Sequence, residues 1–263
     1  MNTREYNALQ LRRSAAEEVA DVLMIEHPLS IAINGEPFTL TMQTPGDEVD
    51  LARGILYTEG VFKSKNHHPE FETTLVSDDG NISSLNFKVD ESLLDKSQLN
   101  KRNLLSVASC GICGKTEISL PAGEVLLSSA ILNFEMIRRM FDEMSAGQNA
   151  FKASGGCHAA ALFDSERNLL VVREDIGRHN AVDKVIGNLL INEQLNAAKF
   201  LLVSGRVSYE IVTKCFIAGI PFLLAVSAPS SLAVDFAKEL GITLIAFCRE
   251  DRATVYSNAE RIF

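Results

Sequence analysis

The chain has no tryptophan, and its basic side chains are outnumbered by its acidic ones. Its 263 residues include 25 lysines and arginines and 34 aspartates and glutamates, which gives a formal net charge of −9. Proteins that bind nucleic acid generally need an excess of basic residues to neutralise phosphates, and single strands are often stacked on aromatic rings. We therefore expect no nucleic-acid partner, while an anionic small ligand stays compatible with a local concentration of basic residues.

A long apolar run is also missing. The longest uncharged stretch, residues 215–234, is interrupted by Pro221 and Pro229. Interior prolines favour a buried helix, a strand and a turn over a membrane-spanning helix. The Arg12-Arg13 pair is followed by acidic residues rather than by the apolar segment of an export signal. We therefore expect a cytoplasmic protein with no signal peptide and no membrane partner.

Cysteine is scarce and its count is odd, the five being Cys110, Cys113, Cys157, Cys215 and Cys248. A large chain with few cysteines and no export signal is not expected to rest on a disulfide framework. Cys215 and Cys248 lie in apolar runs, where we expect them to be buried as small hydrophobic residues.

The first part of the chain, residues 1–102, is predicted to be a small α+β domain. Its start, residues 1–28, is polar and is expected to be poorly ordered. The Asn34-Gly35 pair between two β-prone runs is a strong hairpin signal. The apolar spacing over residues 47–60 then predicts a helix that ends at a glycine.

The second part, residues 103–263, is predicted to be an α/β domain with a mostly parallel sheet. After residue 199 the apolar segments FLLVS, FLLAVS and ITLIAF alternate with helical patterns. Near-continuous apolar strands separated by helices are typical of a parallel sheet covered by helices. Asn180 is expected to cap a helix that begins near Ala181, with Asp183 at its third position.

Four polar turns are predicted to follow the strands at one edge of this sheet. Ligands of such sheets bind at this edge, outside the carboxyl ends of the parallel strands. These turns span residues 173–180, 204–208, 227–231 and 247–252. They contain most of the candidate anion-binding side chains: Arg173, Arg178, His179, Arg206, Arg249 and Arg252. Helix N-termini and arginine guanidinium groups both favour phosphates, so we expect an anion-binding edge.

The sequence SCGICGK contains two cysteines, Cys110 and Cys113, separated by a glycine and an isoleucine. Four interpretations stay open: a redox dithiol, two ligands of a zinc site, a structural loop, and a nucleophilic or sulfur-carrying thiol. The segment after the pair lacks helical periodicity, which disfavours the redox dithiol. A zinc site would need Cys157 and the adjacent His158 as well, and neighbouring residues rarely bind one metal together. His158 could instead donate or accept a proton.

Several catalytic motifs are absent from the sequence. Zinc-dependent deaminases need an H-x-E motif followed by P-C-x-x-C, and here Ser109 stands before Cys110 in place of the proline. The sequence also contains neither the glycine-rich dinucleotide fingerprint nor the P-loop pattern. No permanently bound metal is therefore predicted.

The segments SCGICG, SGGCHAA, REDIGRHNAVDKVIG, SGRVSYEIVTK and AVSAPSSLAVDFAKELGITLIAFCRED closely resemble the FdhD/NarQ family, as does PGDEVDLARGILYTEG. The resemblance extends from about residue 29 to the end. It implies a sulfur carrier that accepts sulfur from a cysteine desulfurase as a persulfide. The sulfur would then pass to the bis-guanine-dinucleotide molybdenum cofactor, a bound substrate here, before that cofactor enters formate dehydrogenase. The family also implies a cytidine-deaminase-like three-layer scaffold and a homodimer.

Residue by residue, the resemblance assigns sulfur transfer to Cys110 and Cys113. It assigns cofactor binding to the segment Phe247, Cys248, Arg249, Glu250, Asp251 and Arg252, beside the predicted anion-binding residues Arg178, His179 and Arg206. Two other classes of function stay open. One is a chaperone that binds the cofactor without transferring sulfur, and the other is a zinc-dependent hydrolase.

Overall fold

The computed structural model of the chain describes residues 2–99, 120–249 and 251–263. Within these ranges the strands are β1 (Thr3–Arg12), β2 (Ala15–Met24), β3 (His27–Ile33), β4 (Glu36–Gln43), β5 (Glu70–Val76), β6 (Ile82–Lys88), β7 (His158–Phe163), β8 (Leu169–Asp175), β9 (Phe200–Val203), β10 (Phe222–Ala225), β11 (Thr243–Arg249) and β12 (Arg252–Val255). The helices are α1 (Glu48–Thr58), α2 (Lys96–Leu99), α3 (Phe134–Gly147), α4 (Asn149–Ser154), α5 (Arg178–Ile191), α6 (Tyr209–Ile217) and α7 (Ser231–Glu239).

The larger sheet has the strand order β12-β11-β10-β9-β7-β8. The expectation of a mostly parallel sheet is wrong, because only β9, β10 and β11 run parallel and the other three pairings are antiparallel. Helical crossovers connect the three parallel strands, whereas a turn over residues 164–168 joins β7 to β8. A short turn permits only antiparallel pairing, which explains the mixed sheet.

Helices cover both faces of this sheet. In β10, Leu223 and Ala225 pack against α5, α6 and α7, while Phe222 and Leu224 pack on the side of α3. Successive side chains of a strand point to opposite faces, so the apolar run FLLA supplies both cores. The likeness to cytidine deaminase that the family resemblance implies stays a prediction.

The smaller sheet has the order β4-β3-β6-β5 and packs against one face of α1. The hairpin predicted at Asn34-Gly35 is confirmed, and both residues adopt positive φ, 52° and 87°. Two successive positive φ values define the turn that best matches the twist of a hairpin. The proposed division into two domains near residue 102 falls outside the described residues and stays a prediction.

Helix α1 joins the two halves of the described structure because its other face packs closely on α5. A Cβ atom placed on Gly54 would lie 1.9 Å from the carbonyl oxygen of Asp183. A Cβ atom placed on Gly187 would lie 1.8 Å from the carbonyl oxygen of Asp50. The two glycines therefore allow the two helix backbones to come into direct contact, which no residue with a side chain would permit.

The expected disorder of residues 1–28 is wrong. This region forms the ribbon of β1 and β2, which pair along their whole length. Its mostly exposed side chains account for the weak hydrophobic pattern in the sequence. No helix among the described residues is long and apolar enough to cross a membrane.

Gly54→Ala and Gly187→Ala should each reduce the free energy of unfolding by about 3 kcal/mol, because the added methyl group would force two backbones apart. Urea denaturation measures this change. Gly156→Ala is the matched control, since a Cβ atom there would meet its nearest neighbour at an ordinary 3.5 Å. Equal stabilities of the three variants would contradict the direct backbone contact.

Candidate functional site

The carboxyl ends of β8 to β11 meet at one edge of the larger sheet, which we call the rim (residues 158, 176–178, 204–208, 226–230, 247–249 and 251–252). Because β7 runs antiparallel to β9, the first residue of β7 lies at the same edge as the last residues of β9. This places His158 at the rim, whereas a parallel β7 would have placed it at the opposite edge. Side chains from several elements therefore meet there.

Three basic side chains lie together at the rim. A Cβ atom placed on Gly205 would lie 3.2 Å from Nδ1 of His158 and 3.4 Å from Cβ of Arg178. Gly205 is buried, and the exposed Arg206 follows it directly in the chain. The Nε atom of Arg178 is buried and has no hydrogen-bond partner among the described residues. An unpaired buried guanidinium donor is costly unless an acceptor binds it, so this cluster suits an anion.

The electrostatics of the cluster keep His158 neutral. Burial of the imidazole lowers the pKa of His158, and the positive charges of Arg178 and Arg206 lower it further. The nearby carboxylate of Asp175 acts in the opposite direction. The two guanidinium groups thus place positive charge beside an imidazole that is itself neutral at pH 7.

A buried carboxylate fixes the turn that carries Arg178. The side chain of Asp175 is fully buried and lies 2.9 Å from Nζ of Lys184. It also accepts hydrogen bonds from the backbone N–H groups of Thr44 and Gly177, at 3.0 and 2.8 Å. Lys184 in turn donates to the carbonyl oxygen of Thr44 at 2.7 Å. Asp175 therefore connects the end of β4, the end of β8 and the start of α5.

The predicted start of α5 at Ala181 is wrong, because the helix begins three residues earlier, after Gly177. Asn180 lies inside the first turn and does not cap it. Its Nδ2 atom donates to the carbonyl oxygen of Met42 at 2.7 Å and to Asp175 at 3.0 Å. Asn180 therefore holds α5 against β4, and Arg178 occupies the first position of the helix.

His179 is buried against polar side chains at the start of α6. Its side chain is only 6% exposed, and Nε2 lies 3.3 Å from Oγ of Ser208 and 3.9 Å from Oε2 of Glu210. Behind it, Asp183 and Lys214 form a buried ion pair at 2.7 Å. Asp183, expected near a helix cap, thus has a structural role between α5 and α6. The structure places His179 beside Ser208 of the rim and Glu210 of α6.

The carboxyl-terminal part of β11 has an unusual backbone. Phe247 adopts a positive φ of 53°, and the pairing of β11 with β12 shifts register between Ala246 and Arg249. The guanidinium of Arg252 lies 5.9 Å from the centre of the Phe247 ring. Positive φ at a bulky residue is strained and is found preferentially at functional sites. The half-buried ring and the arginine offer a surface on which a planar base could stack.

The other predicted members of this segment are distributed differently. Cys248 is buried in the core beside α3, as expected for a small hydrophobic residue. Arg249 is exposed and donates to the carbonyl oxygen of Val226 at 3.0 Å. Asp251 is exposed, and Glu250 lies outside the described residues. The rim thus contains Phe247, Arg249 and Arg252 but not the thiol of Cys248.

Arg173 does not belong to the anion-binding group. Its guanidinium forms ion pairs with Asp47 and Asp50 of the α1 region, both at 3.0 Å. The expectation that it contributes positive charge at the rim is therefore wrong. Its partners lie more than 120 positions away in the chain, where no local sequence pattern points to them.

The thiols within the described residues are poorly suited to nucleophilic chemistry. Burial raises the pKa of Cys157 and Cys248 to about 12, and it raises the pKa of Cys215 as well. The thiol of Cys157 also donates to the carboxylate of Glu174 at 3.2 Å. Cys110 and Cys113, the predicted sulfur-transfer pair, lie outside the described residues. Within the described ranges no three side chains of the metal-binding types lie close enough to hold an ion.

The fold and the rim define a mixed α/β protein with arginine side chains clustered at one edge of its larger sheet. A family model described as the FdhD/NarQ family matches residues 24–263. The relatives include several that carry the name Sulfur carrier protein FdhD. The one from Mycolicibacterium paratuberculosis is 41% identical over 92% of each chain, and the one from Saccharolobus solfataricus is 37% identical over 100% of this chain and 99% of its own. The chain belongs to the FdhD/NarQ family.

A solved structure supports the same relationship. A crystal structure from Desulfotalea psychrophila, described as a formate dehydrogenase accessory protein, matches with a TM-score of 0.76 and 25% sequence identity. The match covers 100% of both chains. The whole described architecture is therefore shared with that protein.

The sequence did not predict the positions of two residues of the site. His158 was considered as a zinc ligand and as a proton donor or acceptor, and only the antiparallel direction of β7 shows that it lies at the rim. Asp175 was not predicted to fix the turn that carries Arg178. The EDIG sequence before a helix, with a lysine nine residues later, was the available signal for its structural role.

Asp175→Asn should lower the free energy of unfolding by about 3–5 kcal/mol, because it leaves the ammonium of Lys184 buried without its counter-charge. Chemical denaturation measures the loss. Asp235→Asn, at an exposed position of α7, is the matched control and should change stability by less than about 0.5 kcal/mol. A small effect at Asp175 would show that the ion pair does not organise the turn.

Cys157, Cys215 and Cys248 should resist alkylation in the folded protein at pH 8. With a pKa of about 12, only about one thiol in ten thousand is a thiolate at that pH for Cys157 or Cys248. Peptide mass mapping after brief iodoacetamide treatment checks this, with a denatured sample as the control in which all three react. Rapid native labelling of Cys157 would contradict the inert environment.

Proposed function

We propose that this protein is a sulfur carrier that serves formate dehydrogenase by delivering sulfur to its molybdenum cofactor. The observation that carries this proposal is the shared name of the relatives, Sulfur carrier protein FdhD, at about 40% identity over nearly the whole chain. The solved relative described as a formate dehydrogenase accessory protein indicates the client enzyme. The inert thiols of the described residues leave Cys110 and Cys113 as the candidates for sulfur transfer.

The first chemical step is a thiol exchange with a cysteine desulfurase. The thiolate of Cys110 attacks the terminal sulfur of the donor's persulfide, the donor's S–S bond breaks, and the donor cysteine leaves as a thiolate. The product is a persulfide on Cys110, and no external oxidant or reductant is consumed. Cys113 assists or accepts the sulfur. The protein is thus a sulfurtransferase-type carrier that holds the sulfur as a persulfide until it is passed on.

The rim supplies a binding site for the anionic substrate. The bis-guanine-dinucleotide molybdenum cofactor carries diphosphate groups and planar guanine bases. Arg178 and Arg206 are suited to the diphosphate, because Nε of Arg178 is a buried donor without a partner. The Phe247 ring with Arg252 above it is suited to stacking on a base. Arg249 and Asp251 lie exposed beside this pair, and His179 supports the turn from inside.

A chaperone that binds the cofactor without transferring sulfur is the second candidate function. The specific observation in its favour is that the rim contains a complete basic cluster independent of any reactive thiol among the described residues. A zinc-dependent hydrolase has no comparable support within the described residues. Assembly as a homodimer and a cytoplasmic location are parts of the proposal that rest on the family resemblance.

Incubation with a cysteine desulfurase and cysteine should add 32 Da to the intact protein, and peptide mapping should place the added sulfur on Cys110 or Cys113. The adduct should disappear in the double variant Cys110→Ala/Cys113→Ala and persist in Cys157→Ser, the matched control. An adduct that survives the double variant would refute the assignment to this pair. Activation of formate dehydrogenase in cells by the same double variant would favour the chaperone.

A further inference from the structure

His158 is the titratable side chain of the rim for which the proposed function has no use. It lies at the start of β7, and its strand partner in β8 is Asp175. The backbone around it is fixed, because the N–H of Ala159 donates to Oγ of Ser204 at 2.9 Å and the N–H of Ser204 donates to the carbonyl oxygen of Ala159 at 3.0 Å. The imidazole is therefore held in place beside the turn that carries Gly205 and Arg206.

The groups that face His158 come from three directions. The turn after β9 contributes Gly205 and the guanidinium of Arg206, and the start of α5 contributes Arg178. Strand β8 contributes the carboxylate of Asp175, which is already bound to Lys184 at 2.9 Å. The negative charge on this side is thus matched by a lysine, and the two arginines leave an excess of positive charge around the imidazole.

Gly205 explains how the cluster is assembled. A methyl group at this position would approach Nδ1 and Cε1 of His158 to 3.2 and 3.4 Å and Cβ of Arg178 to 3.4 Å. The 3.2 Å contact is tighter than ordinary packing allows, and the two at 3.4 Å lie at its limit. The absence of a side chain at residue 205 therefore lets the imidazole and the stem of Arg178 pack on the same stretch of backbone.

We propose that His158 belongs to the anion site formed with Arg178 and Arg206, that this site takes a diphosphate diester, and that the imidazole takes up one proton from solvent when the diphosphate binds. This inference rests on the proposed function, because it specifies how the same rim recognises the diphosphate of a guanine dinucleotide. It adds His158 to Arg178 and Arg206 as a third side chain that binds the diphosphate. It also adds the uptake of a proton to the binding reaction.

The direction of the coupling follows from the charges. In the empty site burial and the two arginines lower the pKa of His158, so the imidazole is neutral at pH 7. A diphosphate diester brings two negative charges, which offset the two guanidinium groups and favour the imidazolium. Protonation then supplies a further charged donor to the phosphate oxygens. Binding should therefore strengthen as the pH falls from 8 to 6, by up to about tenfold per pH unit.

The probe must not titrate in the same range. GDP-mannose meets this requirement, because both of its phosphates are esterified and stay fully ionised between pH 6 and pH 8. Calorimetric titration in buffers with different ionisation enthalpies counts the protons taken up on binding. At pH 7 the wild-type protein should take up a measurable fraction of one proton for each GDP-mannose bound.

His158→Gln should abolish this proton uptake. The variant should bind GDP-mannose about as well as the wild-type protein at pH 8 and about tenfold more weakly at pH 6, because glutamine keeps a hydrogen-bond donor but takes up no proton. His67→Gln, at an exposed histidine far along the chain, is the matched control and should retain the wild-type profile. An equal loss at both pH values, or undiminished uptake in His158→Gln, would overturn the inference.

A second variant keeps the test open if His158→Gln does not fold. Arg206→Gln removes an exposed positive charge and should raise the pKa of His158 in the empty protein, which NMR titration of the imidazole can follow. Its proton uptake on binding GDP-mannose should fall accordingly, and an unchanged uptake would count against the inference.

Failure of the wild-type protein to bind GDP-mannose at any pH would instead contradict the cofactor-binding part of the proposed function, while persulfide formation on Cys110 or Cys113 is measured independently.

Discussion

The rim depends on the buried ion pair and hydrogen bonds that the carboxylate of Asp175 makes. A fully buried carboxylate is expensive to remove from water, and here Lys184 and backbone N–H groups from two other elements compensate for it. Each of these partners belongs to a segment that must be placed accurately: the end of β4, the turn after β8 and helix α5. The position of Arg178 follows directly, because it is the first residue of that helix.

The contact between α1 and α5 carries this arrangement into the rest of the structure. Gly54 and Gly187 let the two backbones touch, and the buried pair of Asp183 and Lys214 lies in the same region. Thr58 of α1 donates to Asp183 at 2.8 Å. The smaller sheet is thereby attached to α5 through packing and buried polar contacts together. A change in the packing of α1 would therefore also shift α5, whose N-terminus lies at the rim.

The sequence predicted local features well where a physical rule acts over a few residues. The Asn34-Gly35 hairpin and the strands rich in branched apolar residues were of this kind. It failed where distant residues decide the outcome. The direction of β7 depends on its neighbours in the sheet, and the ion pairs of Arg173 join residues more than 120 positions apart. The start of α5 was misplaced because Asn180 makes tertiary hydrogen bonds rather than a cap.

The functional residues show the same division. The arginines of the rim were predictable, since turns after parallel strands and helix N-termini have a fixed relation to the edge of a sheet. His158 was not, because its position depends on a strand that reverses direction. That reversal has a chemical consequence: it brings an imidazole close to two guanidinium groups in a protein whose overall charge is −9. The negative net charge repels free anions at long range, so recognition depends on the short-range hydrogen-bond donors of the rim. An imidazole that becomes charged only when the ligand is bound attracts the ligand. In the empty site it remains neutral and does not repel the two guanidinium groups.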